Sequence, residues 1–81
     1  MKASVIRKLA EQHPANTLHE AAEALENERA PEIEVNGSDD GERLTHCLLA
    51  GRLRRRIDAG EDPKEAFRTL MAEVRAVVAN E

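Results

Sequence analysis

Hydrophobic residues recur along most of this chain at steps of three and four, the spacing of one helical face, and the rhythm breaks in a single place. Val5, Ile6, Leu9 and Ala10 predict a short amphipathic helix over Ala3 to Gln12, with Ser4 as its N-cap. Pro14 pushes the residue before it out of the α region, which puts His13 in a turn. Thr17 and Glu20 have the spacing of a capping box. Leu18, Ala21, Ala22 and Leu25 then give a second helix a narrow apolar side as far as about Arg29.

The rhythm breaks at Pro31, where Glu32-Ile33-Glu34-Val35 alternates like a strand and Asn36-Gly37-Ser38 turns the chain. No second alternating run follows to pair with it, so residues 31–38 are read as an extended connection that tucks Ile33 and Val35 against the core. Asp39, with Glu42 three residues on, opens a long helix that Gly60 stops. Leu44, Cys47, Leu48 and Gly51 share one of its faces, and Leu49, Leu53 and Ile57 lie roughly opposite. A helix apolar on two sides packs between others, which makes this one the expected spine of the fold. Gly51 costs about 1 kcal/mol relative to alanine in mid-helix, and is read as a point where a neighbouring backbone comes close. Asp62-Pro63-Lys64-Glu65 starts a last helix, in which Phe67, Leu70, Met71, Val74, Val77 and Val78 are expected to bury together. The fold class that follows is all-α: one domain over residues 1–81, a compact bundle of three to four helices with one extended connection at about 31–38.

Composition supports this class, because Phe67 is the sole aromatic residue and a core of small aliphatic side chains suits closely packed helices. With 16 acidic against 12 basic residues the net charge is −4, so the molecule as a whole exerts no pull on nucleic acid or acidic lipid. Cys47 is the one cysteine, which excludes an intrachain disulfide and any C-x-x-C pair. The opening M-K-A-S-V-I-R-K-L-A places charges where a signal peptide needs apolar residues, and no run reaches about 18 apolar residues. A cytoplasmic protein with no membrane segment is the expectation.

Thr45, His46 and Cys47 invite a Cys/His nucleophile, but neighbours on a helix point about 100° apart, so His46 and Cys47 do not face one another. Cys47 shares its face with leucines and is read as a small apolar core residue. Glu42 and His46 stand four apart and His19 is a further imidazole, yet neither a His-x-x-x-His nor a Glu-x-x-His pair occurs, so no metal or other cofactor is assigned. His46 is instead expected to interact with Glu42 or to cap a neighbouring helix. The strongest charge feature is a contrast: residues 17–42 hold nine acids and one base, and residues 43–56 hold five arginines and no acid. These arginines spread around the helix and no aromatic platform accompanies them, which speaks against a nucleic-acid groove.

The pieces V-I-R-K-L-A-E (Val5 to Glu11), A-E-A-L-E (Ala22 to Glu26), P-E-I-E-V-N-G-S-D-D-G-E-R-L-T-H (Pro31 to His46) and A-F-R-T-L-M-A-E-V-R (Ala66 to Arg75) together resemble an uncharacterised family of small helical bacterial proteins, a domain of unknown function found mainly in Bacteroidetes. The resemblance implies no catalytic residue. The reading that the residues support is a non-enzymatic protein-interaction or adaptor module with an unidentified protein partner, a homodimer being one arrangement its surfaces allow. A small regulatory nucleic-acid binder using the arginine-rich helix end is the alternative. The candidate surface comprises Glu34, Asp39, Asp40, Glu42, His46, Arg52, Arg55 and Arg56.

Overall fold

The side chain of Asp39 accepts a hydrogen bond from the Glu42 backbone N–H at 2.8 Å, and from that cap the chain runs helical for 19 residues. This is α3, Asp40–Asp58. The structure, a computed structural model, describes the backbone of residues 1–79 and the side chains of residues 1–76; the expected burial of Val77 and Val78 lies outside the described residues. The other helices are α1 (Ala3–Gln12), α2 (Ala15–Glu26) and α4 (Pro63–Ala79), and the described residues contain no strand. The all-α bundle is therefore the architecture, with α3 at its centre: α1, α2 and α4 each pack against it.

The start of α2 and the cap of α1 differ from the sequence expectation. Pro14 sits at φ −71° and ψ 161°, and its carbonyl accepts from Leu18, so α2 begins directly after it and Thr17 lies inside the first turn rather than capping it. Lys2, not Ser4, flanks α1, and no side chain caps that end. The α4 start is as expected, with Asp62 accepting from the Glu65 backbone at 3.2 Å.

Both α2 and α3 end in Schellman geometry. At α3 the N–H of Gly60 reaches Ile57 and that of Glu61 reaches Arg56, with Gly60 at φ 101°, a conformation glycine adopts without penalty. At α2 the same pair of bonds is made by Glu28 to Leu25 and Arg29 to Ala24. Here the left-handed position, φ 57°, is held by Glu28, a residue with a Cβ. This is why α2 stops at Glu26, earlier than Arg29.

The core joins Ile6, Leu9 and Ala10 of α1 to Leu18, Ala21, Ala22 and Leu25 of α2, with Cys47, Ala50 and Leu53 of α3 between them and Ala66 and Leu70 of α4 beyond. Alanines at so many contacts let the helices approach closely. Val35 is buried and Ile33 packs against the same cluster, so the connection at 31–38 lies on the core as its alternation predicts. Leu48 departs from its expected face and is 48% exposed. Gly51 is buried, but a methyl added there would meet nothing within 4 Å, so no neighbouring backbone explains it.

α4 is joined to α1 by Arg7, whose guanidinium lies 5.0 Å from the centroid of the half-buried Phe67 ring. Arg54 ties α3 to α1 by donating to the Ala10 carbonyl at 3.1 Å, one of the carbonyls that the end of α1 leaves without a helical partner. No described helix is long and apolar enough to cross a membrane.

Candidate functional site

The first two turns of α3 grip the extended connection through three side chains. Glu42 accepts from the Ser38 N–H at 3.0 Å, Arg43 donates from Nε to the Val35 carbonyl at 2.9 Å, and His46 Nδ1 lies 2.7 Å from the Asn36 carbonyl. Gly37 completes the clasp by close approach: a Cβ there would fall 2.6 Å from Arg43 Cγ and 3.0 Å from its backbone nitrogen. The chain's first residues close the other side. Lys2 N–H donates to His46 Nε2 at 3.0 Å, and the Met1 amino group lies 3.1 Å from Glu42 Oε2.

This arrangement changes the reading of several candidates. His46 is fully buried and belongs to the clasp rather than to the surface, and it bonds backbone groups rather than Glu42. Its ring has no nitrogen left for another ligand. His19 is elsewhere, exposed on α2 and 3.0 Å from Glu23. Among the described residues no group of three or more His, Cys, Asp or Glu is placed to hold a metal ion. The Ser38 N–H and the Met1 amine hold the Glu42 carboxyl below the usual glutamate range. Burial pushes the Cys47 thiol up, against a smaller opposing effect of Arg43, and a protonated thiol 1% exposed is a core group.

The arginines divide as well. Arg43 pairs with Asp40 at 3.0 Å, Arg54 with Asp58 at 3.0 Å, and Arg56 with Glu73. Arg52 and Arg55 are exposed and make no ion pair among the described residues. Of the acidic candidates, Asp39 is spent as the helix cap, whereas Glu34 is exposed and Asp40, although bonded to Arg43, has a 69% exposed side chain. The sequence candidates thus separate into Asp39, Glu42, His46 and Arg56, whose polar groups are engaged within the chain, and an outward set, Glu34, Asp40, Arg52 and Arg55.

Arg52 and Arg55 line a groove of about 650 Å³ beside α3. Met1, Thr45, Leu48 and Leu49 line it as well, together with Glu73 and Val74 of α4. Met1 and Leu48 are the exposed large hydrophobic residues of the described chain, and both line this groove. Scattered apolar residues at a surface are ordinary, whereas these two lie in one groove together with Arg52 and Arg55. A smaller cleft of about 280 Å³ lies between α2 and the connection, where Glu20, Glu23 and Glu32 face Arg29. It is polar and carries no exposed large hydrophobic residue.

The groove escapes a reading of the sequence because Leu48 and Leu49 carry the same apolar signal as core residues. In the structure Gly41, Thr45, Leu48, Arg52 and Arg55 alternate steps of four and three along one side of α3, and every one is exposed.

A family model described as "Family of unknown function (DUF6952)" matches residues 1–79. Searches of curated proteins and of solved structures each gave no match.

Proposed function

The chain belongs to this family of unknown function, DUF6952, and we propose that it is a non-enzymatic protein-interaction module whose docking face is the groove beside α3. The observation that carries this reading is the coincidence of three features on one surface. Met1 and Leu48 expose apolar area, Arg52 and Arg55 offer cations without partners, and both pairs meet at the same groove. Buried apolar anchors surrounded by a charged rim are the usual anatomy of a protein interface.

The absence of an enzymatic role is supported by how the reactive side chains are used. His46 is saturated by backbone partners, and the Cys47 thiol is held protonated in the core. The alternative, a regulatory nucleic-acid binder using the arginine-rich end of α3, has less support, since Arg43, Arg54 and Arg56 are paired within the chain and two arginines of the tract remain for phosphates.

Affinity capture from the native cell tests the reading when the wild-type chain is compared with Leu48→Arg and with Glu20→Ala on the outer face of α2. The groove variant should lose the specific partner while the α2 variant keeps it. Capture of the same proteins by all three chains would contradict a docking face at Leu48.

A further inference from the structure

We infer that the occupant of this groove is a second copy of the same chain, docked antiparallel, α3 against α3, with the two-fold axis passing beside Leu48. The inference rests on the reading of the groove as a docking face and adds the identity and orientation of what docks.

Charge and size are arranged antisymmetrically about Leu48 along the exposed side of α3. Seven residues before Leu48 stands Gly41, with Asp40 next to it in the chain, and seven after it stands Arg55. The exposed stripe therefore carries small residues in its first half, Gly41 and Thr45, and large cations in its second, Arg52 and Arg55. If a second α3 is laid antiparallel across the first with the leucines at the centre, Arg55 of each copy meets Gly41 of the other and lies beside its Asp40. Arg52 of each then falls beside Thr45. Long side chains cover short ones, and each guanidinium arrives near the 69% exposed carboxylate of Asp40. A parallel pairing would set arginine against arginine along half the helix.

Several further features agree with this orientation. Antiparallel helices also place opposite ends of their macrodipoles together. The stripe's alternation of four and three is the spacing with which paired helices interlock. An isologous contact uses the same patch on both partners, so every complementary pair occurs twice, and the central apolar contact is Leu48 on Leu48 flanked by Leu49 and Met1. The acidic outer side of α2, with Glu20, Glu23 and Glu26, could satisfy the arginines of a second copy but brings no exposed large hydrophobic residue to fill the groove.

The test is a charge exchange on the 81-residue chain. Asp40→Arg and Arg55→Asp are made separately, helicity is checked by circular dichroism, and self-association is followed by sedimentation equilibrium. The wild-type chain should dimerise at high micromolar concentration, and each variant alone, carrying two like-charge contacts per dimer, should associate roughly tenfold or more weakly. Mixing the two variants should restore association to near the wild-type level. In a mixed pair one contact joins the two substituted positions with their charges exchanged, and the other joins native Asp40 to native Arg55. A change in folding alone cannot produce that recovery. Failure of the mixture to recover, or a wild-type chain that stays monomeric at high micromolar concentration, overturns the second-copy assignment. In either of those cases, loss of a cellular partner by Leu48→Arg would show that the docking face stands with a different occupant, and retention would remove both.

Discussion

His46 and Asn36 are joined by a contact of 2.7 Å between ring Nδ1 and the backbone carbonyl oxygen, while Lys2 N–H points at the opposite ring nitrogen from 3.0 Å. A carbonyl can only accept and a backbone N–H can only donate, so the ring carries its proton on Nδ1 and leaves Nε2 as the acceptor. The neutral imidazole thereby links the start of the chain to the extended connection through the body of α3. Nitrogen chemical shifts of the His46 ring should report this tautomer, and an Nε2-protonated or doubly protonated ring would refute the bonding pattern. Replacement by alanine leaves two backbone groups unpaired and a cavity behind, which should cost about 2–4 kcal/mol in a denaturant titration. Glutamine, able to donate and accept, should cost less.

The neighbouring carboxylate gives the clasp an acid limit. Glu42 has a folded pKa below its unfolded value, because ionised oxygens accept from Ser38 and from the Met1 amine. A depressed carboxylate stabilises the fold above the unfolded value and loses that contribution as pH falls through the folded one. Thermal unfolding followed from neutral pH downward should therefore show a fall in stability through the acidic carboxylate range. In Glu42→Gln that fall should be shallower, with a lower starting point at neutral pH.

Three backbone positions should respond in opposite directions. Glu28 occupies a left-handed helix stop that favours glycine, so Glu28→Gly should stabilise the chain by about 1 kcal/mol. Gly51→Ala should also stabilise, by about 1 kcal/mol, since the helix gains propensity and the methyl has space. Gly37→Ala should destabilise, because the added carbon would press on the backbone of Arg43 as well as its side chain. Chemical denaturation of the three variants checks the pattern, and a stabilised Gly37→Ala would count against the close packing of the connection on α3.

Cys47 should alkylate slowly in the native protein. Its thiol is 1% exposed and its pKa is raised by burial, so both access and thiolate fraction oppose the reaction. The rate should rise sharply when the chain is unfolded by denaturant. Rapid labelling of the folded chain at neutral pH would show that this region opens readily.

Much of this architecture is legible from local chemistry. The bounds of α1, the cap at Asp39, the proline-led start of α4 and the glycine stop at Gly60 each depend on residues within a turn of one another, and sequence spacing displays them directly. The α2 start is obscured because Thr17 carries the same signal as a true cap, and the proline three residues earlier already fixes the helix start. The state of His46 is not legible, since its partners are backbone groups 10 and 44 residues away and no side-chain pattern marks them. Leu48 is hidden for a different reason. α3 bears apolar residues on most of its circumference, so its periodicity does not say which leucine is left uncovered; the positions of α1, α2 and α4 around it decide that.

The docking of a second copy on the Leu48 face is tested most directly by a concentration series of methyl and amide NMR spectra on the 81-residue chain. Docking of α3 on α3 predicts that the Leu48 and Leu49 methyls and the amides of Thr45, Arg52 and Arg55 shift progressively with concentration, while the buried Leu18 and Leu70 methyls stay in place. Shifts confined to the outer face of α2, or spectra that do not change up to high micromolar concentration, would contradict it.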